Sequence, residues 1–347
     1  MVMKLKDIVE ICYGKNQKSV EVPFSTIPIL GTGGVIGYAS KPLYDKESVL
    51  IGRKGTIGLP FYIDKPFWTI DTLFYTKINK NKVIPKFLYY LLCTIGLTRY
   101  SEGAAVPSLT IKTLNEIDLN IPDMVIQQHI VDTIGSVDNL IERKEKINEL
   151  LQQKADLLFN SFLSNINDQV PLAQFQKNTI CGKTPSTKKN DNWDGSFPFV
   201  TTEDLREKPF VIESKRKFNA GAATCIILPG SILTSCIGTV GEVSISAIKC
   251  QTNQQINSII PKKAYTLFLY EALSHSKDKI KTMSMSGTAT PNISKSSFLT
   301  LPIPNIKNEQ LLCFNKLVSP LFKLIFHNMK EILELKIIKS HLLEKYF

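Results

Sequence analysis

The chain has 347 residues, enough for two domains with hydrophobic cores and the segments that connect them. Hydrophobic residues make up 43% of the sequence, which excludes wholesale disorder, and the net charge of +11 favours a polyanionic partner, above all nucleic acid, over a merely soluble basic protein. No apolar run is long enough to span a bilayer and the N-terminus lacks a signal-peptide pattern, so no membrane partner is expected.

The N-terminal part of the chain predicts a mixed, strand-rich domain over residues 1–123. Segments with β propensity at 22–30, 48–51 and 67–78 are separated by clusters of glycine, proline and asparagine. Within 85–98 the apolar residues recur at helical spacing, which predicts an amphipathic helix.

One long helix is predicted from about 124 to 163, and we assign 124–165 to a first spacer helix. At about 1.5 Å per residue it would extend roughly 55 to 60 Å. Because it carries a single apolar stripe, it needs a helical partner. The stripe runs from Ile126 through Ile147 and beyond, and its expected seam residues are Ile134, Ile141 and Leu151.

A second strand-rich domain is predicted over 166–305, followed by a second spacer helix over 306–347. This helix has a heptad frame with Leu321, Ile332 and Leu335 at its seam. Asn328 and Lys339 fall on the same frame. They either are polar seam residues that fix the register or face solvent at the helix edge. Pro320, inside the pattern, predicts a kink or a restart of the helix.

The two halves of the chain repeat each other about 183 residues apart. GTIG at 55–58 recurs as GTVG at 238–241, and the small-residue segment 101–107 recurs at 285–291. An Ile-Pro pair, a later Gln or Glu followed by Gln, and a long helical stretch occur after each domain. A domain and a helix are therefore duplicated, and the natural target of such a protein has two half-sites.

We find no constellation of residues that predicts catalysis. The four histidines are isolated, no nucleotide-binding or nucleophile motif occurs, and no cysteine spacing suggests zinc. The glycines at 31–34 are not followed by a helix, which favours a tight turn over a cofactor loop. The seven scattered cysteines argue against a disulfide framework and fit reduced thiols in the cytoplasm.

Polar, basic and glycine-rich loops in matched places are the candidate DNA-binding elements. Arg53 and Lys54 lie beside glycines that would let backbone N–H groups approach a phosphate, although a structural hairpin turn is the favoured explanation of the glycines themselves. The second copy lacks this basic pair.

The lysine-rich loop 183–189, followed by Trp193, is either a phosphate-contacting loop or a solvated one. Glutamines and asparagines at 251–255 either contact adenine or are polar strand residues. The candidate set is Lys15, Thr32, Tyr38, Arg53, Lys54, Lys183, Thr184, Lys188, Lys189, Thr201, Thr202, Gln251, Asn253, Gln254, Gln255 and Thr288.

These segments together resemble the specificity subunit of type I restriction-modification systems. The resemblance is carried by 28–38, by 182–187 with Trp193 and 197–205, and by the repeated blocks at 103–109 and 287–293. It implies an α+β fold: two similar mixed α/β target recognition domains, separated by two long antiparallel helices that form a coiled-coil spacer with pseudo-two-fold internal duplication.

The resemblance also implies a function and a set of partners. Each domain would recognise one half of a bipartite, asymmetric double-stranded DNA target, and the helices would set the number of base pairs between the halves. The subunit would be non-catalytic and would bind neither cofactor nor metal. It would recruit two methyltransferase subunits, and a restriction subunit can join them. S-adenosylmethionine, ATP and Mg²⁺ would belong to those partners. Two alternatives stay open: a recognition module of a fused restriction-methylation enzyme, and a non-restriction scaffold whose helices dock proteins.

Overall fold

The structure, a computed structural model, describes residues 1–102, 107–164, 166–188, 190–262, 264–285 and 290–347. It divides into two compact units. Unit 1 consists of Met1–Ile141 together with Glu334–Phe347, and unit 2 consists of Glu142–Leu333.

Unit 1 is a mixed α/β domain with three small sheets. Its strands are β1 (Val2–Lys4), β2 (Val9–Tyr13), β3 (Glu21–Val22), β4 (Ile27–Gly31), β5 (Gly34–Ala39), β6 (Ser48–Gly52), β7 (Phe61–Ile63), β8 (Trp68–Thr69), β9 (Leu73–Ile78) and β10 (Asp118–Asn120). Its helices are α1 (Pro85–Thr94), α2 (Ile111–Asn115) and the first part of α3 (Met124–Leu163).

The sheets of unit 1 have the orders β1-β10, β2-β9-β6-β7 and β3-β5-β4-β8. All the pairings are antiparallel except that of β4 with β8. Helix α1 buries Phe87 and Leu88 in the same core as Phe74 of β9 and Ile130 of α3. The first turns of the long helix are thus part of the hydrophobic core of this domain.

Unit 2 repeats this plan. Its strands are β11 (Gln169–Pro171), β12 (Gln176–Cys181), β13 (Phe197–Val200), β14 (Phe210–Val211), β15 (Arg216–Phe218), β16 (Ile232–Ser235), β17 (Val243–Ser246), β18 (Gln251–Thr252), β19 (Ile256–Pro261) and β20 (Pro302–Pro304). Its helices are α4 (Thr202–Leu205), α5 (Thr266–His275), α6 (Lys277–Ser284) and α7 (Lys295–Leu299), and α8 (Asn308–Tyr346) begins in it.

The sheet orders confirm that the fold is duplicated. Strand order β2-β9-β6-β7 in unit 1 corresponds to β12-β19-β16-β17 in unit 2, where β14 is added at the edge. The parallel pair β4 and β8 corresponds to the parallel pair β13 and β18. The pair β1 and β10 corresponds to β11 and β20. The predicted duplication of a mixed α/β domain is therefore visible in these three correspondences.

Both predicted long helices are present. Helix α3 spans Met124–Leu163, as predicted, and α8 spans Asn308–Tyr346 and passes Pro320 without an interruption. The prediction of a restart at this proline is therefore wrong, and the alternative, a kink within the helix, stays a prediction.

Within each unit the two helices pack antiparallel. In unit 1, Lys339 forms an ion pair with Asp138 at 2.7 Å, and the Tyr346 hydroxyl lies 3.3 Å from Nε2 of His129. In unit 2, the Lys144 ammonium lies 2.6 Å from Glu331 and lowers the pKa of that carboxyl. The rings of Phe159 and Phe314 pack against each other further along the same pair.

The predicted seam residues differ in burial. Ile134, Ile141 and Ile332 are buried, whereas Leu151, Leu321 and Leu335 are half-buried. Ile126 and Ile147 are 47% and 43% exposed, so the predicted stripe is too wide at these two positions.

The polar residues on the heptad frame of α8 lie in the helix pairing and not at a solvent-facing edge. Asn328 is 4% exposed, and its Nδ2 donates to Oδ1 of Asn148 at 2.9 Å. The Lys339 side chain is 23% exposed and is held by its ion pair with Asp138. Because a hydrogen-bonded polar pair in a seam fits only one alignment, these residues fix the register of the helices.

Candidate nucleic-acid interface

A glycine-lysine pair follows β2 in unit 1 and β12 in unit 2. A Cβ at Gly14 would lie 1.9 Å from the carbonyl oxygen of Ile70, and one at Gly182 would lie 2.0 Å from that of Asn253. Only glycine allows this close approach of two backbone segments. The following lysines are both exposed, and their N–H groups are fixed by β8 and β18: Lys15 donates to Thr69 at 2.8 Å and Lys183 to Thr252 at 2.9 Å.

A second loop is held by the same backbone contacts in the two units. The N–H of Arg53 donates to the carbonyl of Thr72 at 2.8 Å, and the N–H of Cys236 donates to that of Gln255 at 2.7 Å. The turns continue into Gly55 and Gly238, with φ of 79° and 76°. Glycine is needed in both turns because other residues rarely adopt this conformation.

The side chains on this framework differ between the units. In unit 1 they form what we call loop cluster 1: Lys15, Thr32, Arg53, Lys54 and Asp71. The Arg53 guanidinium donates to the Asp71 carbonyl at 3.2 Å and lies 5.3 Å from the ring centroid of Tyr13. Thr32 belongs to the cluster because a Cβ at Gly55 would lie 3.3 Å from its Oγ1. The cluster therefore presents a held arginine with two exposed lysines.

Loop cluster 2, in unit 2, comprises Lys183, Thr184, Gln254 and Gln255. The Thr184 hydroxyl donates to Oε1 of Gln254 at 2.5 Å, and Gln254 is exposed. Gln255 is half-buried, and its Nε2 would lie 3.6 Å from a Cβ at Gly238. Where cluster 1 has a guanidinium, cluster 2 therefore presents amides, which donate and accept hydrogen bonds.

Two residues predicted to contact bases have structural roles instead. Gln251 is fully buried: its Oε1 accepts from the N–H groups of Thr224 and Cys225, and its Nε2 donates to the Lys183 carbonyl at 2.6 Å. Asn253 is 9% exposed and bonds the backbone and side chain of Gln255. A DNA base cannot reach such groups, so both expectations are corrected: Gln251 anchors two loops and Asn253 positions Gln255.

The threonines at the end of β13 lie in a helix start. The Thr201 hydroxyl donates to Asp204 Oδ2 at 3.0 Å, and its N–H donates to the same oxygen at 2.8 Å, as an N-terminal cap of α4. Thr202 is the first residue of α4 and is half-buried. Thr201 thus begins α4, and its expected contact with DNA stays a prediction.

Four further predicted residues are not assigned to these clusters. Tyr38 is 44% exposed and pairs with Pro28, at the end of the β4–β5 hairpin opposite Thr32. Lys188 is exposed in the loop of 183–196. Lys189 and Thr288 lie outside the described residues.

Trp193 anchors the loop that contains Lys188. Its ring packs edge-on against Phe199 with the centroids 5.2 Å apart, and the Arg216 guanidinium lies 4.4 Å from its ring centroid. This tryptophan therefore has a packing role. Tyr13 was not singled out from the sequence, yet it is 51% exposed and supports Arg53. The signal for it was its position before the glycine-lysine pair.

Comparison with known proteins identifies the family. A family model described as the type I restriction modification DNA specificity domain matches residues 1–153 and 170–333. The chain belongs to this family. As a type I specificity subunit it serves DNA recognition, is non-catalytic, and works with modification and restriction subunits.

Individual relatives agree with this assignment. The specificity subunit of the type I restriction enzyme HindI of Haemophilus influenzae is 27% identical, over 77% of this chain and 77% of the relative. That of the enzyme MjaIX of Methanocaldococcus jannaschii is 25% identical, over 87% and 77%. The crystal structure of the S subunit from M. genitalium has a similar fold, with a TM-score of 0.65 at 17% identity, over 100% of this chain and 96% of the other.

Across the described ranges, no helix is both long and apolar enough to cross a bilayer.

Proposed function

We propose that this specificity subunit recognises a bipartite, asymmetric DNA target. The domain at 1–123 would bind one half-site with loop cluster 1, and the domain at 166–305 would bind the other with loop cluster 2. One observation carries the proposal: matched backbone hydrogen bonds hold Arg53 and Cys236 at equivalent places. The turns that contain Asp71 and Gln254 are closed in the same way, by the Leu73 N–H with the Ile70 carbonyl and by the Ile256 N–H with the Asn253 carbonyl. A shared framework with different side chains is what two different half-sites require.

The chemistry of the clusters suggests which bases they prefer. A guanidinium can donate two hydrogen bonds to the major-groove edge of guanine, so Arg53 favours guanine in the first half-site. A glutamine amide can pair with the major-groove edge of adenine, so Gln254 and Gln255 favour adenine in the second. Lysines bind phosphates irrespective of sequence, and this role falls to Lys15, Lys54, Lys183, Lys188 and Lys189. Thr32, Tyr38, Thr202 and Thr288 are further contact candidates.

The long helices at 124–165 and 306–347 are proposed as the spacer and as the binding site for two methyltransferase subunits. The buried Asn328–Asn148 hydrogen bond and the Lys339–Asp138 ion pair support a rigid pairing. S-adenosylmethionine would belong to the methyltransferases, and ATP and Mg²⁺ to restriction subunits. A cytoplasmic location agrees with the seven free cysteines.

A domain exchange tests the proposal. Residues 170–300 are replaced by the equivalent segment of a relative with a different target, and the methylated motif is mapped at single-base resolution in cells that supply the methyltransferase. We expect one half of the motif to change and the other to persist. Exchange of the first domain is the matched control and should change the opposite half. A swap that alters both halves, or neither, contradicts the assignment of one domain to one half-site.

A further inference from the structure

Unit 2 contains a cavity that is unrelated to the loop clusters. It has a volume of about 310 Å³ and lies between α3, α5 and the segment that leads into β17. Its lining includes Gln152 and Asp156 of α3, Glu242, and Glu271 of α5. A polar cavity of this size holds several water molecules.

Glu271 is the most unusual group in this cavity. Its side chain is 2% exposed, and its Oε2 has no hydrogen-bond partner among the residues the structure describes. The Asp156 carboxyl lies beside this carboxylate, and Nδ1 of His275 lies 3.8 Å from its Oε2. A buried carboxylate next to another carboxyl is unfavourable unless a proton or a cation lies between them.

The groups around Glu271 form a set of metal ligands. One donor atom each of Asp156, Glu271 and His275 lie within 4.8 Å of one another. Glu271 and His275 are one helical turn apart on α5, which places both on one face, and Asp156 comes from α3. Two carboxylates and an imidazole suit Zn²⁺, Mn²⁺ and related ions, and the cavity leaves room for water at the remaining positions.

Two neighbours position the imidazole of this ligand set. Nδ1 of His275 lies 3.8 Å from Glu271 Oε2 and 2.9 Å from the backbone carbonyl oxygen of Glu271, so binding a metal through this nitrogen would replace its bond to the carbonyl. The imidazole also packs against Phe159 with ring centroids 4.8 Å apart. Among the residues the structure describes, Lys208 and Lys277 are the basic residues that line the cavity, and Lys277 is already paired with Glu242 at 2.6 Å.

We propose that Asp156, Glu271 and His275 bind one divalent first-row transition-metal ion, which ties α3 to α5 inside unit 2. The ion balances the charge of the buried carboxylate. It is a structural ion that stabilises the folded state, because a ligand that binds only the folded chain shifts unfolding to higher temperature. The proposal does not depend on DNA recognition.

The test uses the full chain, stripped with a chelator and titrated with MnCl₂, since the free thiols of the chain favour Zn²⁺ over Mn²⁺. We expect saturation at one Mn²⁺ per chain, competition by ZnCl₂, and a rise of several degrees in the unfolding temperature. Glu271→Gln, which keeps the shape and removes the charge, should weaken Mn²⁺ binding at least tenfold. Asp278→Asn, a fully exposed site on α6, is the matched control and should bind normally.

Two outcomes would overturn the site. Absence of saturable binding of Mn²⁺ and of Zn²⁺ would mean a carboxyl pair sharing a proton only, and unchanged binding by Glu271→Gln would place the ion elsewhere. If Glu271→Gln does not fold, the variant His275→Gln, at a half-exposed position, tests the same ligand set by its Mn²⁺ affinity. Loss of binding in that variant supports the site, and retention contradicts it.

Discussion

The Thr184 hydroxyl donates a hydrogen bond to Oε1 of Gln254 at 2.5 Å. This bond spans 70 positions of the sequence and joins the loop after β12 to the turn between β18 and β19. It orients an exposed amide before any ligand arrives. A side chain held in this way loses less conformational entropy on binding, which favours specific contact with a base.

The first prediction concerns this glutamine. Gln254→Ala should weaken binding to the cognate second half-site by about 1 to 3 kcal/mol and relax specificity there, because a bidentate contact to adenine is lost. Thr184→Val should weaken binding less, since it removes only the hydrogen bond that orients the Gln254 amide. Competition binding against single-base variants of the target measures both. Gln153→Ala, an exposed glutamine on α3, is the control; equal losses for all bases would argue against base contact.

A second prediction separates phosphate contacts from base contacts in loop cluster 1. Lys54→Gln should weaken binding to every sequence and reduce the slope of log affinity against log salt by about 1, because fewer counterions are released. Arg53→Lys should instead lower discrimination for one base pair, since an ammonium cannot replace the planar guanidinium. Fluorescence anisotropy at several salt concentrations distinguishes the two. Lys65→Gln, at an exposed position outside the cluster, should leave the salt slope unchanged. If Lys65→Gln reduces the slope as much as Lys54→Gln, the reduction is not specific to loop cluster 1.

The helix pairing gives a third prediction. Ile141→Asp and Leu335→Asp should destabilise the fold by several kcal/mol, on the order expected for an unpaired charge in an apolar contact, and should abolish co-purification with the methyltransferase. The buried Ile141 should be the more sensitive of the two. Ile147→Asp on the same helix, 43% exposed, is the control for stability. Thermal unfolding that does not separate Ile141→Asp from Ile147→Asp would remove Ile141 from the seam.

A fourth prediction concerns the polar pair between α3 and α8 in unit 2. Asn328→Leu alone should cost about 1 to 3 kcal/mol, because Asn148 loses its partner in a half-buried place. Changing both asparagines to leucine should recover much of this loss, since no orphaned polar group remains. A double-mutant cycle of chemical denaturation measures the coupling. A coupling energy near zero would show that the hydrogen bond does not contribute to the pairing.

The glycine-lysine turns provide a fifth prediction. Gly14→Ala and Gly182→Ala should each destabilise their domain by about 1 to 3 kcal/mol, because the added methyl group would overlap a backbone carbonyl. DNA binding should weaken as well, since the following lysine would shift. Gly33→Ala, with no atom within 4 Å of its Cβ, is the control and should be tolerated. Stability can be compared by urea denaturation, and three equal values would contradict the steric explanation.

Local and periodic features were predictable from the sequence. The period of apolar residues gave both long helices, and the repeated segments gave two related domains. Burial on the helices was harder, because the same apolar period contains the buried Ile141 and the exposed Ile147. The roles of Gln251 and Asn253 depend on the parallel pairing of β13 with β18. Those strands are distant in sequence, so no local pattern showed that the two amides would be enclosed.

The hydrogen bonds that hold the recognition loops are formed by main-chain atoms, such as the Arg53 N–H with the Thr72 carbonyl and the Cys236 N–H with the Gln255 carbonyl. Side chains at these positions can therefore be exchanged with little effect on folding. Mutations in the codons of a few exposed residues would change the DNA sequence that is recognised, while the scaffold persists. Immunity of a host population to new invaders would then diversify faster than the fold that provides it.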